Sequence, residues 1–381
     1  MRILALEPWY GGSHKAFLDG LIAHSSHKID TVTMSARFWK WRMHGGAVTM
    51  ARKVQEIYKK GEKPDLIFAS SMVNLTAFLA LTRSELSGVP VVMYMHENQL
   101  TYPLPEGKSR DHTYGYINYL SCLAADHIVF NSQFHYDQFV EALPRLLRLF
   151  PDYTHLNTAQ QIRQKTSVLH LGLDLRGHDK YASAFEGHPW GPGMKLPIVL
   201  WNQRWEYDKN PAAFFRLMNR LDDSGHKFRL ILAGEHFEDL PPEFEKAFER
   251  YAERILHYGY AEDFKEYSSL LHRADIVIST SLHEFFGISM LEAIYCGCHP
   301  LLPNRLSYPE LIPESLHSPL LHAPILYEDD DELFAIMKRI LNGEERPLPV
   351  STLKGISAHL EWSQHVQHFD QLFESVAASK A

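Results

Sequence analysis

Short runs of apolar and β-branched residues recur along the chain, each followed by a polar turn and then by apolar residues at helical spacing. A strand covered on both faces of a parallel sheet needs such a continuous run, because every side chain meets a packed helix. Residues 2–8, Ile29–Met34, Pro64–Ser70, Pro90–Met95, Ala125–Ser132 and Ser167–Leu171 are predicted as strands. Helices are expected up to about His24, near Asn74–Thr82, over Asp111–Cys122 and over Phe134–Leu149. Residues 175–196 hold four glycines, two prolines and few aliphatic residues, which is a linker composition. The alternation then restarts with Ile198–Trp201, Arg229–Ala233, Ala274–Thr280 and the run leading to Pro303. The pattern implies an α/β chain of two Rossmann-like domains, 1–180 and 197–356, joined by a linker over 181–196. In 357–381, Leu360, Trp362, Val366, Phe369, Leu372 and Phe373 form one stripe of an amphipathic helix over Ser357–Ala378.

Composition narrows the class. A 381-residue chain with 45% hydrophobic and 22% charged residues is typical of soluble globular proteins. Nothing approaches 18 consecutive apolar residues, so no membrane span is expected. Three cysteines are too few for a disulfide framework and point to a reducing cytoplasm. The net charge of −8 argues against a whole-surface nucleic-acid binder, so any RNA contact needs a local basic patch. The stretch Ala36–His44 supplies one, with Arg37, Lys40 and Arg42 interleaved with Phe38, Trp39 and Trp41, and Arg52, Lys53, Lys59, Lys60 and Lys63 beyond it. Aromatic rings stack on bases while the cations neutralise phosphates. The same stretch is compatible with a helix that buries an aromatic stripe.

The chemistry concentrates in four loops that follow strands. Trp9 to Lys15 contains Gly11, Gly12, Ser13 and His14; it is not G-x-G-x-x-G, so the nicotinamide fingerprint is missing. Strand Pro90–Met95 delivers His96, Glu97 and Asn98 at its carboxyl end, where ligands bind in open α/β sheets. Arg204 and Lys209 follow strand Ile198–Trp201, a cation pair suited to a diphosphate. Glu284 lies in the loop after Ala274–Thr280, and Glu292 on the helix predicted over Gly287–Tyr295, which Cys296-Gly297-Cys298 ends. That helix start offers free N–H groups to an anion. Two carboxylates flanking it suit a nucleotide-sugar, although Glu284 as a helix cap and Glu292 as a solvated residue fit the spacing too. The histidines form no zinc-type spacing, and no metal ligand is assigned.

Glu284-Phe285-Phe286-Gly287-Ile288-Ser289-Met290-Leu291-Glu292 resembles the E-x7-E signature of retaining glycosyltransferases with the GT-B fold. The longer block His283–Glu310, with EPWYGGSHK and MHENQLTYP, is similar to one subgroup, the tRNA-queuosine mannosyltransferases and their bacterial relatives. The resemblance spans most of the chain. It implies two domains facing across a cleft, with the C-terminal helix returning to the first. In the site it implies His96 near the reacting sugar carbon, Arg204 and Lys209 on the donor diphosphate, Glu284 on the sugar hydroxyls and Glu292 on the ribose. Gly11, Gly12, Gly234, Tyr260, Phe286, Gly287 and Ile288 complete the implied donor set. Ser13, His14, Glu97, Asn98, Arg37, Lys40 and Arg42 form the acceptor set. Asn202-Gln203 stands before Arg204 where that subgroup's pattern is Pro-His.

The function so implied is retaining transfer of mannose from GDP-mannose, without cofactor or metal, to the cyclopentenediol of queuosine in tRNA. Two other readings fit the residues. One is a GT-B glycosyltransferase with a lipid, polysaccharide or small-molecule acceptor, in which 36–44 meets a membrane surface. The other is a non-catalytic tRNA- or sugar-binding module on the same scaffold.

Overall fold

The computed structural model describes residues 1–58, 63–105, 107–182, 196–235, 242–317 and 322–380. Most of the linker expected over 181–196 lies outside them, as do Lys59 and Lys60. The chain forms two units, Met1–Leu173 with Trp362–Ala381, and Asp174–Glu361.

The first unit is built on six parallel strands: β1 (Arg2–Tyr10), β2 (Lys28–Ser35), β3 (Leu66–Ser70), β4 (Val91–Met95), β5 (His127–Phe130) and β6 (Thr166–Val168). Their order is β2-β1-β3-β4-β5-β6. Ile3, Leu4, Ala5 and Leu6 are all buried, as are all five residues of β3 and of β4, so the continuous apolar runs are covered on both faces. The chain steps from β1 outward to β2, then returns to β3 on the other side, which puts a switch point beside β1. The β1–β2 register shifts between Glu7 and Tyr10, where Pro8 has no N–H to give to the ladder. That irregularity leads into the glycine loop and helix α1 (Gly12–His24). Helix α2 (Trp39–Ile57) follows β2, and a small cluster of Met43, Met72, Tyr114 and Ile117, with Trp9 and Trp39 against it, packs beside the end of β1.

The second unit repeats the plan with β7 (Ile198–Trp201), β8 (Arg229–Ala233), β9 (Ile255–Gly259), β10 (Ile276–Ile278), β11 (His299–Pro303) and β12 (Leu326–Tyr327). The order β12-β11-β10-β7-β8-β9 places its switch point between β7 and β10. Its core is aromatic: Trp201, Trp205, Phe214, Phe228, Phe244 and Tyr251 are buried, and Trp205 stacks on Phe244 at 4.0 Å.

The C-terminal helix differs from its expected extent. Apolar spacing continues through Ser357–Ala378, yet helix Val350–Ser357 ends, a single turn follows over Ala358–Leu360, and a new helix runs Trp362–Ala378. Glu361 breaks the path with extended backbone (ψ 129°). Its carboxylate accepts the Arg176 N–H at 2.8 Å, while the Trp362 N–H donates to the Leu173 carbonyl at 3.0 Å. The new helix belongs to the first unit. Trp362 is 1% exposed and rests against Gly20 and Gly172. A Cβ on Gly20 would lie 1.9 Å from its Nε1, and one on Gly172 2.4 Å from its ring carbons, so both seats require glycine. Phe369 and Phe373 continue the contact onto Phe17, Tyr94 and Phe68.

Candidate active site

In the second unit the loops after the neighbouring strands β7 and β10 meet at the switch point. Lys209 Nζ is buried there and donates to Glu284 Oε2 at 3.1 Å and to the His283 carbonyl at 2.9 Å, with Asp208 Oδ2 at 3.2 Å. Burial alone would lower the ammonium pKa; Glu284 and Asp208 outweigh it and raise it, so Lys209 stays charged. Arg204 is more exposed and pairs with Glu206 at 2.9 Å, with Asp208 at 3.7 Å. Burial, partly offset by Arg204, raises the Glu206 carboxyl above its usual value. The neighbouring His283 is pushed down to about 4 by burial and by Lys209, and is neutral near pH 7.

Helix Ile288–Tyr295 begins beside this pair. Gly287 is its N-cap at φ +104°, a left-handed conformation that disfavours a side chain, and no side chain caps the end. Phe286 is buried behind it. Glu292, on the same helix, accepts the Tyr267 hydroxyl at 2.7 Å. Burial pushes its carboxyl up to about 7. The Asn202-Gln203 pair is structural on its donor side: Asn202 Nδ2 holds the Ser289 carbonyl at 2.7 Å, and Gln203 Nε2 reaches Ser281 Oγ at 3.0 Å. Gly234 fits tightly under the Gln203 carbonyl, 2.1 Å from where its Cβ would stand, whereas Tyr260 is 70% exposed. The structure therefore brings Lys209, Glu284, Phe286, Gly287 and Ile288 together, with Arg204 on the rim and Glu292 one turn along the helix.

The first unit gathers a second group at the carboxyl ends of β1 and β4. His14 Nδ1 is 2.9 Å from Glu7 Oε2, and both side chains are buried. The other Glu7 oxygen accepts the Trp9 N–H at 2.8 Å. The His96 ring lies against the His14 ring at 4.2 Å, tilted by 36°, with Phe17 and Tyr94 packed on it. Burial and the two nearby histidines His14 and His135 hold the His96 pKa well below its usual value, so it is neutral. Burial alone would lower His14 as well, but the Glu7 carboxylate, with Glu97 behind it, raises it. Ligand atoms of Glu7, His14 and His96 lie within 4.8 Å of one another, a spacing that could hold a metal ion. As they stand, His14 and a backbone N–H already occupy the carboxylate.

Around this group the expected residues divide. Gly11 lies against Ala36, 2.4 Å from where its Cβ would stand, while Gly12 (φ +51°) borders open space beside exposed Ser13. Asn98 is fully buried, and its Oδ1 accepts the N–H groups of Leu100 and Thr101 at 2.9 and 3.0 Å, a turn-forming role. Glu97 holds Gln99 at 3.0 Å. Arg37 and Lys40 are exposed, as are Phe38 (77%) and Trp41 (63%). Arg42 is buried instead and donates to the Ser35 carbonyl and hydroxyl at 3.0 and 3.1 Å, tying α2 to β2. Sequence reasoning missed Glu7, Asp208, Tyr267 and His283. A carboxylate inside the apolar run of β1 was the available signal for Glu7; the others sit in ordinary polar surroundings.

Two family models match the chain: one described as tRNA-queuosine alpha-mannosyltransferase N-terminal, over residues 2–173, and one described as glycosyl transferases group 1, over 188–346. A tRNA-queuosine alpha-mannosyltransferase of Drosophila melanogaster is 36% identical over 315 residues, covering 82% of each chain. The chain belongs to the tRNA-queuosine alpha-mannosyltransferase family.

Membership makes this family member a glycosyltransferase. Its fold is GT-B: sucrose-phosphate synthase from Thermosynechococcus elongatus superposes with a TM-score of 0.71 over all of both chains at 15% identity. A GDP-mannose:cellobiosyl-diphosphopolyprenol alpha-mannosyltransferase of Xanthomonas campestris is 26% identical over 151 residues, 39% of this chain and 37% of that one. Among the described residues no helix of this family member is long and apolar enough to cross a membrane.

Proposed function

We propose that this protein transfers mannose from GDP-mannose to the cyclopentenediol of queuosine in tRNA, with retention and without a metal ion. The observation that carries the reading is the 36% identity over 82% of both chains to a protein of that name. The Lys209–Glu284 pair beside an uncapped helix start supports donor chemistry of this kind. Arg204, Lys209 and the N–H groups at the start of helix Ile288–Tyr295 hold the diphosphate and stabilise its charge as it leaves. Glu284 accepts from sugar hydroxyls, Glu292 from the ribose, and neutral His96 lies on the acceptor side. Mannose is in the names of both mannosyltransferase relatives, and GDP-mannose as its donor is in that of the Xanthomonas campestris protein.

The test is transfer itself. Purified protein is incubated with queuosine-containing tRNA and a panel of GDP- and UDP-sugars, with and without chelator, and the digested nucleosides are weighed. A hexose gained on queuosine from GDP-mannose alone, in chelator, is the expected result. Gain from a UDP-sugar, or only with metal, overturns the donor or the metal-free mechanism. Donor hydrolysis without transfer moves the acceptor elsewhere.

A further inference from the structure

We propose that Glu7 is a positioning residue for the transfer reaction, and that His14, which it holds, takes the proton of the attacking acceptor hydroxyl. The inference rests on the glycosyltransferase reading and names the proton acceptor that reading leaves open. Glu7 and His14 are both buried, and their 2.9 Å contact runs through Nδ1. A carboxylate there fixes the tautomer with hydrogen on Nδ1, which leaves Nε2 with a lone pair. Among the described residues Nε2 has no hydrogen-bond partner. The second Glu7 oxygen is locked by the Trp9 N–H, so the carboxylate cannot swing away. The register shift after Glu7 and the left-handed Gly12 turn the chain so that residue 14 comes back against residue 7.

The groups around His14 fit the role. Glu7 faces it from β1, and Glu97 and His96 from the loop after β4. His96 is neutral and adds no competing charge. Burial lowers the His14 pKa, but the Glu7 carboxylate, with Glu97 behind it, outweighs this and raises it, which makes the neutral ring a stronger base. In the step itself the acceptor O–H bond breaks and its proton passes to Nε2. The oxygen forms its bond to the anomeric carbon on the same face from which the diphosphate oxygen departs, as the bond from that carbon to the diphosphate oxygen breaks. The bonding pair leaves with the diphosphate, and the imidazolium later returns its proton to solvent.

The experiment compares the wild type with Glu7→Gln, Glu7→Asp and His14→Gln, all checked for an unchanged melting transition. The rate at saturating donor is followed from pH 5.5 to 9, both for transfer and for donor hydrolysis, in which water replaces the acceptor. His14→Gln should lower the maximal rate by roughly 100-fold or more and leave the donor KM near its wild-type value. Glu7→Gln should lower the rate and move the acid limb of the profile to lower pH, because the imidazole loses the charge that raises it. Glu7→Asp should restore part of both. In parallel, the nitrogen-15 histidine spectrum should show the Nδ1–H tautomer for His14 and a lower titration midpoint in Glu7→Gln. Unchanged rates and profiles in both Gln variants, or an Nε2–H tautomer for His14, would overturn the proposal. So would a rate abolished by chelator and restored by a divalent cation, which would make the three side chains metal ligands. A wild type that hydrolyses donor but leaves queuosine unmodified sinks only the acceptor reading; the hydrolysis profile and the spectrum still decide the dyad.

Discussion

At the scale of single residues, charges are held ready before a ligand arrives. Lys209 is surrounded by Asp208, Glu284 and a backbone carbonyl, so on the proposed reading a diphosphate entering the site replaces protein oxygens rather than water. Lys209→Ala would leave the buried Asp208 with only Arg204 at 3.7 Å and the half-buried Glu284 without its cation. The expected result is a fall in transfer of 100-fold or more together with a loss of about 3–5 kcal/mol in stability. Glu292 behaves oppositely. Its carboxyl is raised to about 7, against about 4.3 in an unfolded chain. The folded state thus holds the proton more tightly, and the stability this contributes is present at low pH and is lost as pH rises from about 4 through 7. Glu292→Gln should be more stable than the wild type at pH 8, by about 1–3 kcal/mol in denaturant unfolding, and equal near pH 4. On the proposed reading, in which Glu292 holds the donor ribose, the same substitution should weaken binding of the nucleotide-sugar and remove any improvement of that binding between pH 6 and 8, since only the carboxylate accepts two hydroxyls. Much of this site was legible in advance, because glutamates, a lysine and a glycine at a strand end and helix start state their chemistry locally. Glu7, Asp208 and Tyr267 were not, because their meaning lies in partners at a distance that no local spacing encodes: Glu7 needs His14 folded back onto it, and Tyr267 needs a neighbouring helix to supply Glu292.

At the scale of elements, alternation of strand and helix was readable almost throughout. Ile198–Trp201 and Arg229–Ala233 match their expected bounds, and Gly297, at φ +103°, ends its helix as a C-cap glycine should. The break at Glu361 was hidden, since apolar residues keep helical spacing on both sides of it and the interruption is imposed by the bond to Arg176. Helix α2 shows the same limit. The basic and aromatic residues just before and within its first turn looked equivalent in sequence, but Arg42 serves β2 while Arg37, Phe38, Lys40 and Trp41 face solvent. Arg37→Glu with Lys40→Glu should therefore weaken tRNA binding and reduce the slope of log affinity against log salt by roughly two, leaving donor hydrolysis intact. Arg42→Glu should lower the melting temperature instead. Filter binding across a salt series, beside a thermal melt, separates the two. Vesicle co-sedimentation of the Arg37/Lys40 variant tests whether the exposed Phe38 and Trp41 serve a lipid surface.

At the scale of the whole molecule, each unit encloses its own sheet and core, and the first recruits the helix that follows Glu361. That helix stands directly behind the candidate site: Phe369 touches Tyr94 and Phe17, which in turn pack on His96. Trp362→Ala should cost about 3–5 kcal/mol in the first unit's unfolding and also disturb His96. The expected signature is a lowered maximal rate with donor binding by the second unit unchanged, read by calorimetry against a GDP titration. Gly172→Ala should give a similar pattern, because the methyl group and the Trp362 ring claim one space.

The glycine seats for Trp362 also set an order of events during synthesis. Gly20 and Gly172 are synthesised before Asp174–Glu361, and their tryptophan only afterwards. At 5–20 residues per second the gap lasts roughly 10–40 s, during which Phe17, Phe68 and Tyr94 lack their cover. Until residue 362 arrives the nascent chain exposes an unfinished aromatic face on its first unit, so that interval is the one in which chaperone capture of this protein is expected.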